Sequence, residues 1–225
     1  MRYDITNIPV TDVFEVKDGC PLCRLRDMLE ERAVEYITGA AMMEPDIRIE
    51  TNKAGFCLTH YKQMLGRHNR LGIALMLETH LDEMEKQEFA HLPKPGKPKK
   101  EEAAPTCYVC RQLDEAMDKM LTTVCRTWEA QKDFRDLMEQ QTALCLPHYR
   151  ALVQTGALRV SKKEQSYFYR AIADVAHKTL TELRGDVHHF TEMYDYRNSD
   201  GSGDWGNAKD SIERSIAYLT TRSPE

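Results

Sequence analysis

A chain of 225 residues can bury an ordinary core, so metal is not required for want of length. Charged residues make up 30% of it and hydrophobic ones 41%, which excludes disorder along most of the length and suits helices with solvated outer faces. A net charge of -5 and a pI near 5.9 lack the basic footprint that binding to phosphate backbones requires, so nucleic acid is not an expected partner.

The start, MRYDITNIPVTDVFEV, has no charged-then-apolar signal layout, and no stretch approaches the roughly 18 to 20 apolar residues that span a bilayer. A cytoplasmic protein with no membrane association is expected. Six of the seven cysteines fall in a pattern whose other members are histidines. Disulfide frameworks need no histidine, so the thiols read as metal ligands kept in a reducing compartment.

In chain order, Cys20-Pro21-Leu22-Cys23 comes first, and Leu25, Met28, Leu29, Ala33, Tyr36 and Ile37 then keep helical spacing up to about Met43. Pro45 ends that helix. A helix of this length rises roughly 30 Å, so the segment from Pro45 to Phe56 is expected to be extended, reaching about 40 Å and carrying the chain back. Cys57 and His60 then open a further helix and share one of its faces, and the helical LGIALMLETHL follows. Residues 93–106, rich in proline and lysine, read as an exposed linker.

The second half repeats the first. Cys107-Tyr108-Val109-Cys110 precedes a helix marked by Leu113, Met117, Met120, Val124 and Trp128, and Cys145 and His148 follow. Asp46-Ile47-Arg48 and Asp133-Phe134-Arg135 stand at the same distance after their CxxC motifs, and the halves differ by one inserted residue. Phe168, Ile172, Val175, Leu183, Val187 and Phe190 mark a last long helix. Such recurrence signals a duplication. The expected architecture is therefore all-α: a metal-binding repeat at 1–92, the linker at 93–106, and a second repeat with C-terminal helices at 107–225, packed with approximate twofold pseudo-symmetry.

Eight ligand-type residues make two sets of three cysteines and one histidine. Nearly equal internal spacing favours closure within each half: Cys20, Cys23, Cys57 and His60 in one, Cys107, Cys110, Cys145 and His148 in the other. Exchange, joining Cys20 and Cys23 to Cys145 and His148, is the alternative. Zinc takes four tetrahedral ligands, and this set fills its shell, as a structural rather than a catalytic zinc requires. Two zinc ions are expected, with an iron–sulfur cluster as the alternative.

Weaker constellations carry a plainer reading. Cys125, in register with Thr38, is expected to be a small buried hydrophobe, and His188, His189 and Glu192 to lie on the surface. Most of the eleven methionines are expected in the core. Glu88 with His91 and Asp174 with His177 form acidic-x-x-His pairs like those of di-metal helical bundles, a match that is common by chance in charged helices. The aromatic, glycine-rich run from Tyr194 to Gly206 reads as a clasp used for packing.

CPLCR, ETNKAGFCLTHY, LGIALMLETHL, CYVCR, CLPHY and HHFTEMYDYRNSDGSGDWGNAKDSIERSIAYL together resemble an uncharacterised bacterial family, a domain of unknown function from anaerobic and Gram-positive bacteria. The resemblance covers nearly the whole chain, implies a bacterial cytoplasmic protein and supplies no catalytic residues. An interaction or scaffold module with a protein partner is the expected role, its oligomeric state open. The rivals are a thiol-based redox or metal-responsive protein and a metal-dependent enzyme using a cleft between the repeats.

Overall fold

The structure, a computed structural model, describes residues 8–89, 107–194 and 203–222. All regular structure among them is helical: α1 (Ile8–Glu15), α2 (Pro21–Thr38), a 3-10 turn (Ala40–Met43), α3 (Pro45–Ala54), α4 (Leu58–Gly66), α5 (Arg70–Phe89), α6 (Tyr108–Ala130), α7 (Lys132–Glu139), α8 (Leu146–Arg159), α9 (Lys162–Met193) and α10 (Ser211–Thr220). No helix among the described residues is long and apolar enough to cross a membrane.

The chain divides into two compact units that are nested in sequence. An outer unit joins residues 1–25 to 118–225, and an inner unit is formed by 26–117. Each therefore takes residues from both sides of segment 93–106, which lies outside the described residues. Helix α2 begins in the outer unit and continues in the inner one, and α6 runs from inner to outer.

In the inner unit α3 packs on α5 and on the 3-10 turn, and α4 packs on α5. Val34, Ile37, Met42, Met64, Ile73, Met76, Tyr108 and Val109 form its core. The segment from Pro45 to Phe56 is not the extended return that closure within the first half requires. Its first ten residues are α3, started by Pro45 at a position that needs no amide donor and by Asp46 in the first turn. Gly55 ends it at φ 61° and ψ -161°, backbone angles that a side chain resists. Arg48 locks α3 in place, donating to Met42 O (3.3 Å), Leu75 O (2.7 Å) and Thr79 Oγ1 (2.6 Å).

In the outer unit α10 packs on α8 and α9, which pack on each other, while α7 packs on α9 and α1 on α7. Trp128 is fully buried, with Phe168 5.0 Å and Tyr167 5.2 Å away between ring centroids. The Arg135 guanidinium lies 4.6 Å over the Trp128 ring and donates to the carbonyls of Trp128 and Glu129, both at 2.8 Å, closing the end of α6. Gly156 lets α8 approach α9, since a Cβ there would lie 2.6 Å from Phe168 Cε1. Trp205 stacks edge-on against Phe190 (5.5 Å) and Tyr194 (5.8 Å), so the described part of the aromatic run packs as the clasp reading expects.

Candidate metal centres

Each of the four ligand pairs sits at the start of a helix. Cys20 and Cys107 immediately precede α2 and α6, and their carbonyls accept the first helical bonds from Arg24 (3.2 Å) and Arg111 (3.1 Å). Cys57 and Cys145 are the N-cap residues of α4 and α8, and their carbonyls accept from Tyr61 and Tyr149, both at 2.9 Å. Unpaired amides and the dipole at a helix start favour thiolate, so each centre has two helix starts directed at its sulfurs.

The eight residues gather in two groups of four, with the ligand atoms of each group all within 4.8 Å of one another. The grouping is the crossed one: Cys20, Cys23, Cys145 and His148 in the outer unit, Cys57, His60, Cys107 and Cys110 in the inner. This corrects the expectation of closure within each half. The reason is the reach of the chain. Helix α2 rises about 27 Å over its eighteen residues, and α3, being helical, spans only about 15 Å. The chain falls short of Cys20, and His60 lies instead beside Glu30, well along α2. The same holds for α6, about 34 Å long, followed by α7 of only about 12 Å.

The spacings fit a tetrahedral cation. Ligand bonds of about 2.3 Å to sulfur and 2.0 to 2.1 Å to nitrogen imply S···N edges near 3.6 Å and S···S edges near 3.8 Å. In the inner centre His60 Nδ1 is 3.2, 3.1 and 3.5 Å from the sulfurs of Cys57, Cys107 and Cys110, and Cys57 Sγ is 4.0 Å from Cys110 Sγ. In the outer centre His148 Nδ1 is 3.7, 3.4 and 3.1 Å from Cys20, Cys23 and Cys145, and Cys23 Sγ is 3.6 Å from Cys145 Sγ. All seven cysteines are free thiols. The donor set is thus suited to zinc or to an iron–sulfur cluster.

The chain belongs to the DUF6062 family. The model of this family of unknown function matches residues 1–225. No curated protein and no solved structure matches the chain.

Without a cation, crowded sulfurs cannot all ionise. Burial pushes the Cys107 thiol up, but bonds from His60 and from the amides of Cys110 and Cys57 bring it down to about 6. Burial and the neighbouring Cys107 sulfur push Cys110 up to about 12. Burial alone would lower His60, yet its bonds to Cys107 and Glu30 raise it to about 10. In the outer centre, bonds from the Cys145 and Cys23 thiols hold Cys20 well below the usual thiol range, and Cys145 is pushed up to about 12, chiefly by Cys20. Cys107 and Cys20 are thus the favoured thiolates, and a cation supplies the charge that lets the sulfurs raised beside them ionise.

Behind the inner histidine stands a residue with no sequence signal. Glu30 Oε1 accepts from His60 Nε2 at 3.0 Å, and Arg26 Nη1 lies 3.8 Å from Glu30 Oε2. The other constellations are as plain as expected. Cys125 is fully buried, its thiol pushed up to about 12 by that burial. His188 and His189 share exposed Glu192, at 3.5 and 3.6 Å. Asp174 and His177 are exposed on α9 and join no ligand group, while the Glu88 side chain and His91 lie outside the described residues.

Proposed function

We propose that this protein is a zinc-binding helical module whose two Cys3His centres are structural, and that it serves as an interaction or scaffold protein in a reducing compartment. The observation that carries the reading is the four-ligand shell of each centre, built at two helix starts and leaving no position for water or substrate. A structural zinc contributes on the order of 10 kcal/mol of linked folding energy, enough to fix helix starts far apart in the chain and so preform a surface. The shared helix order and the parallel anchoring of Arg48 and Arg135 also support descent of the two halves from one duplicated unit. Elemental analysis of protein purified without chelators or oxidants tests the reading. Two zinc ions per chain are expected, and a protein that folds equally well with no bound cation would falsify it.

A thiol-switch reading draws on the partial exposure of Cys23, Cys57 and Cys110. Native mass spectrometry after mild peroxide separates the two: retained zinc with unmodified thiols removes the switch, and loss of zinc with a CxxC disulfide supports it.

A further inference from the structure

Glu30 is 7% exposed and His60 1%. A carboxylate buried this far in the middle of a helix is costly unless a partner of matching geometry faces it. The imidazole of His60 is such a partner: Nδ1 faces three sulfurs and Nε2 faces Glu30 Oε1 at 3.0 Å. The ring is thereby committed to one tautomer, with the proton on Nε2 and the lone pair of Nδ1 free for a cation. Arg26, one helical turn before Glu30, offsets the added negative charge. The outer centre is built differently. Among the described residues no carboxylate lies beside the ring of His148, and the place in α6 that matches Glu30 in the repeat is held by Met117, whose thioether cannot take the role.

We propose that Glu30 is the positioning residue of the inner centre, and that its bond to His60 makes this the metal held longest, the outer centre being the one that exchanges. The inference rests on the reading that both centres bind metal. A carboxylate on the far nitrogen makes the imidazole a stronger donor and removes the cost of orienting the ring at each rebinding. Loss of metal from the inner centre must break the ligand bond while the ring stays anchored, so the vacant position is refilled before the ring can turn away.

The test uses the full chain loaded with zinc and mixed with an excess of a chromogenic chelator. Wild type is expected to release its zinc in two phases of one ion each. Cys23→Ser removes the fast phase and Cys110→Ser the slow one. Glu30→Gln keeps the shape and an acceptor oxygen without the charge, and Glu30→Ala removes both. Glutamine speeds the slow phase about ten-fold and alanine up to about a hundred-fold, with the fast phase unchanged in each. Nitrogen-15 spectra show the His60 Nε2–H resonance moving in Glu30→Gln, a change that mere loosening of the fold does not produce. Should a cysteine variant fail to fold, cadmium-113 spectra assign the phases, because each ion couples to the β-protons of its own cysteines.

An unchanged slow phase in both Glu30 variants overturns the proposal, as does equal acceleration of both phases or assignment of the slow phase to the outer centre. Fewer than two zinc ions in wild type overturns the metal reading and this proposal with it. That result is distinct from two ions released with no dependence on Glu30.

Discussion

The inner and outer centres share ligand types, ligand order and the placing of each cysteine pair at a helix start, yet they differ behind the histidine and before the CxxH. Glu30 backs His60, and Gly55 turns the chain into Cys57 through backbone angles that Ala143, its counterpart before Cys145, does not adopt. The Gly55 carbonyl also accepts from Tyr108 N at 3.0 Å, joining the turn to the start of α6. Identical first ligands therefore do not make identical sites. What distinguishes them comes from residues outside the two ligand sets.

Removing both ions is the harshest test of that comparison. Chelation is expected to withdraw on the order of 10 kcal/mol per centre, read as a large drop in the melting temperature followed by helical circular dichroism. Acid should act in the same direction, because ligands must be deprotonated and metal content falls with pH. The metal-free inner unit has its own window. Depressed Cys107 contributes stability that is lost as pH falls through about 6, and raised His60 contributes stability that is lost as pH rises through about 10. Melting of metal-free protein should accordingly peak between those values, and a monotonic profile would count against the His60–Cys107 pair.

Cys57→Ser separates the units: metal content should drop from two ions to one, with hydrogen exchange accelerating in α3, α4 and α5 and not in α8 and α9. Gly55→Ala is next, since its Cβ would meet His80 Nε2 at 2.7 Å at a positive φ. A loss of about 2 to 3 kcal/mol in thermal or denaturant unfolding is expected, against under about 1 kcal/mol for Ala143→Gly. Smallest of all, His177→Ala and His188→Ala should leave the metal count at two. A fall in that count would revive a third metal class at the exposed histidines.

Much of this molecule was legible in the sequence. The long helices α2, α6 and α9, the buried Cys125 and the gathering of all eight cysteine and histidine residues follow from period and motif, because apolar stripes and CxxC or CxxH spacings are local signals. The pairing was not legible, because it turned on PDIRIETNKA. That segment has Pro45 at its start, Asp46 after it and Gly55 at its end, the ordinary marks of a helix. Its apolar stripe is thin, with only Thr51 and Ala54 fully buried and Ile49 exposed, so the demand that the chain return to Cys20 outweighed those marks. Glu30 was invisible for a different reason. It is one acid among many in a charged helix, and its partner lies thirty residues away in another helix.

Because the ligand sets are nested, the order in which they can close is fixed by the order in which the ribosome delivers them. The inner centre is complete once Cys110 has emerged, while Cys20 and Cys23 must wait for His148. Between the emergence of Cys23 and that of His148 the growing polypeptide thus carries an unmatched dithiol, open to soft cations and to oxidants. Assembly proceeds from the middle of the chain outward, and a product truncated anywhere before residue 148 carries that liability permanently.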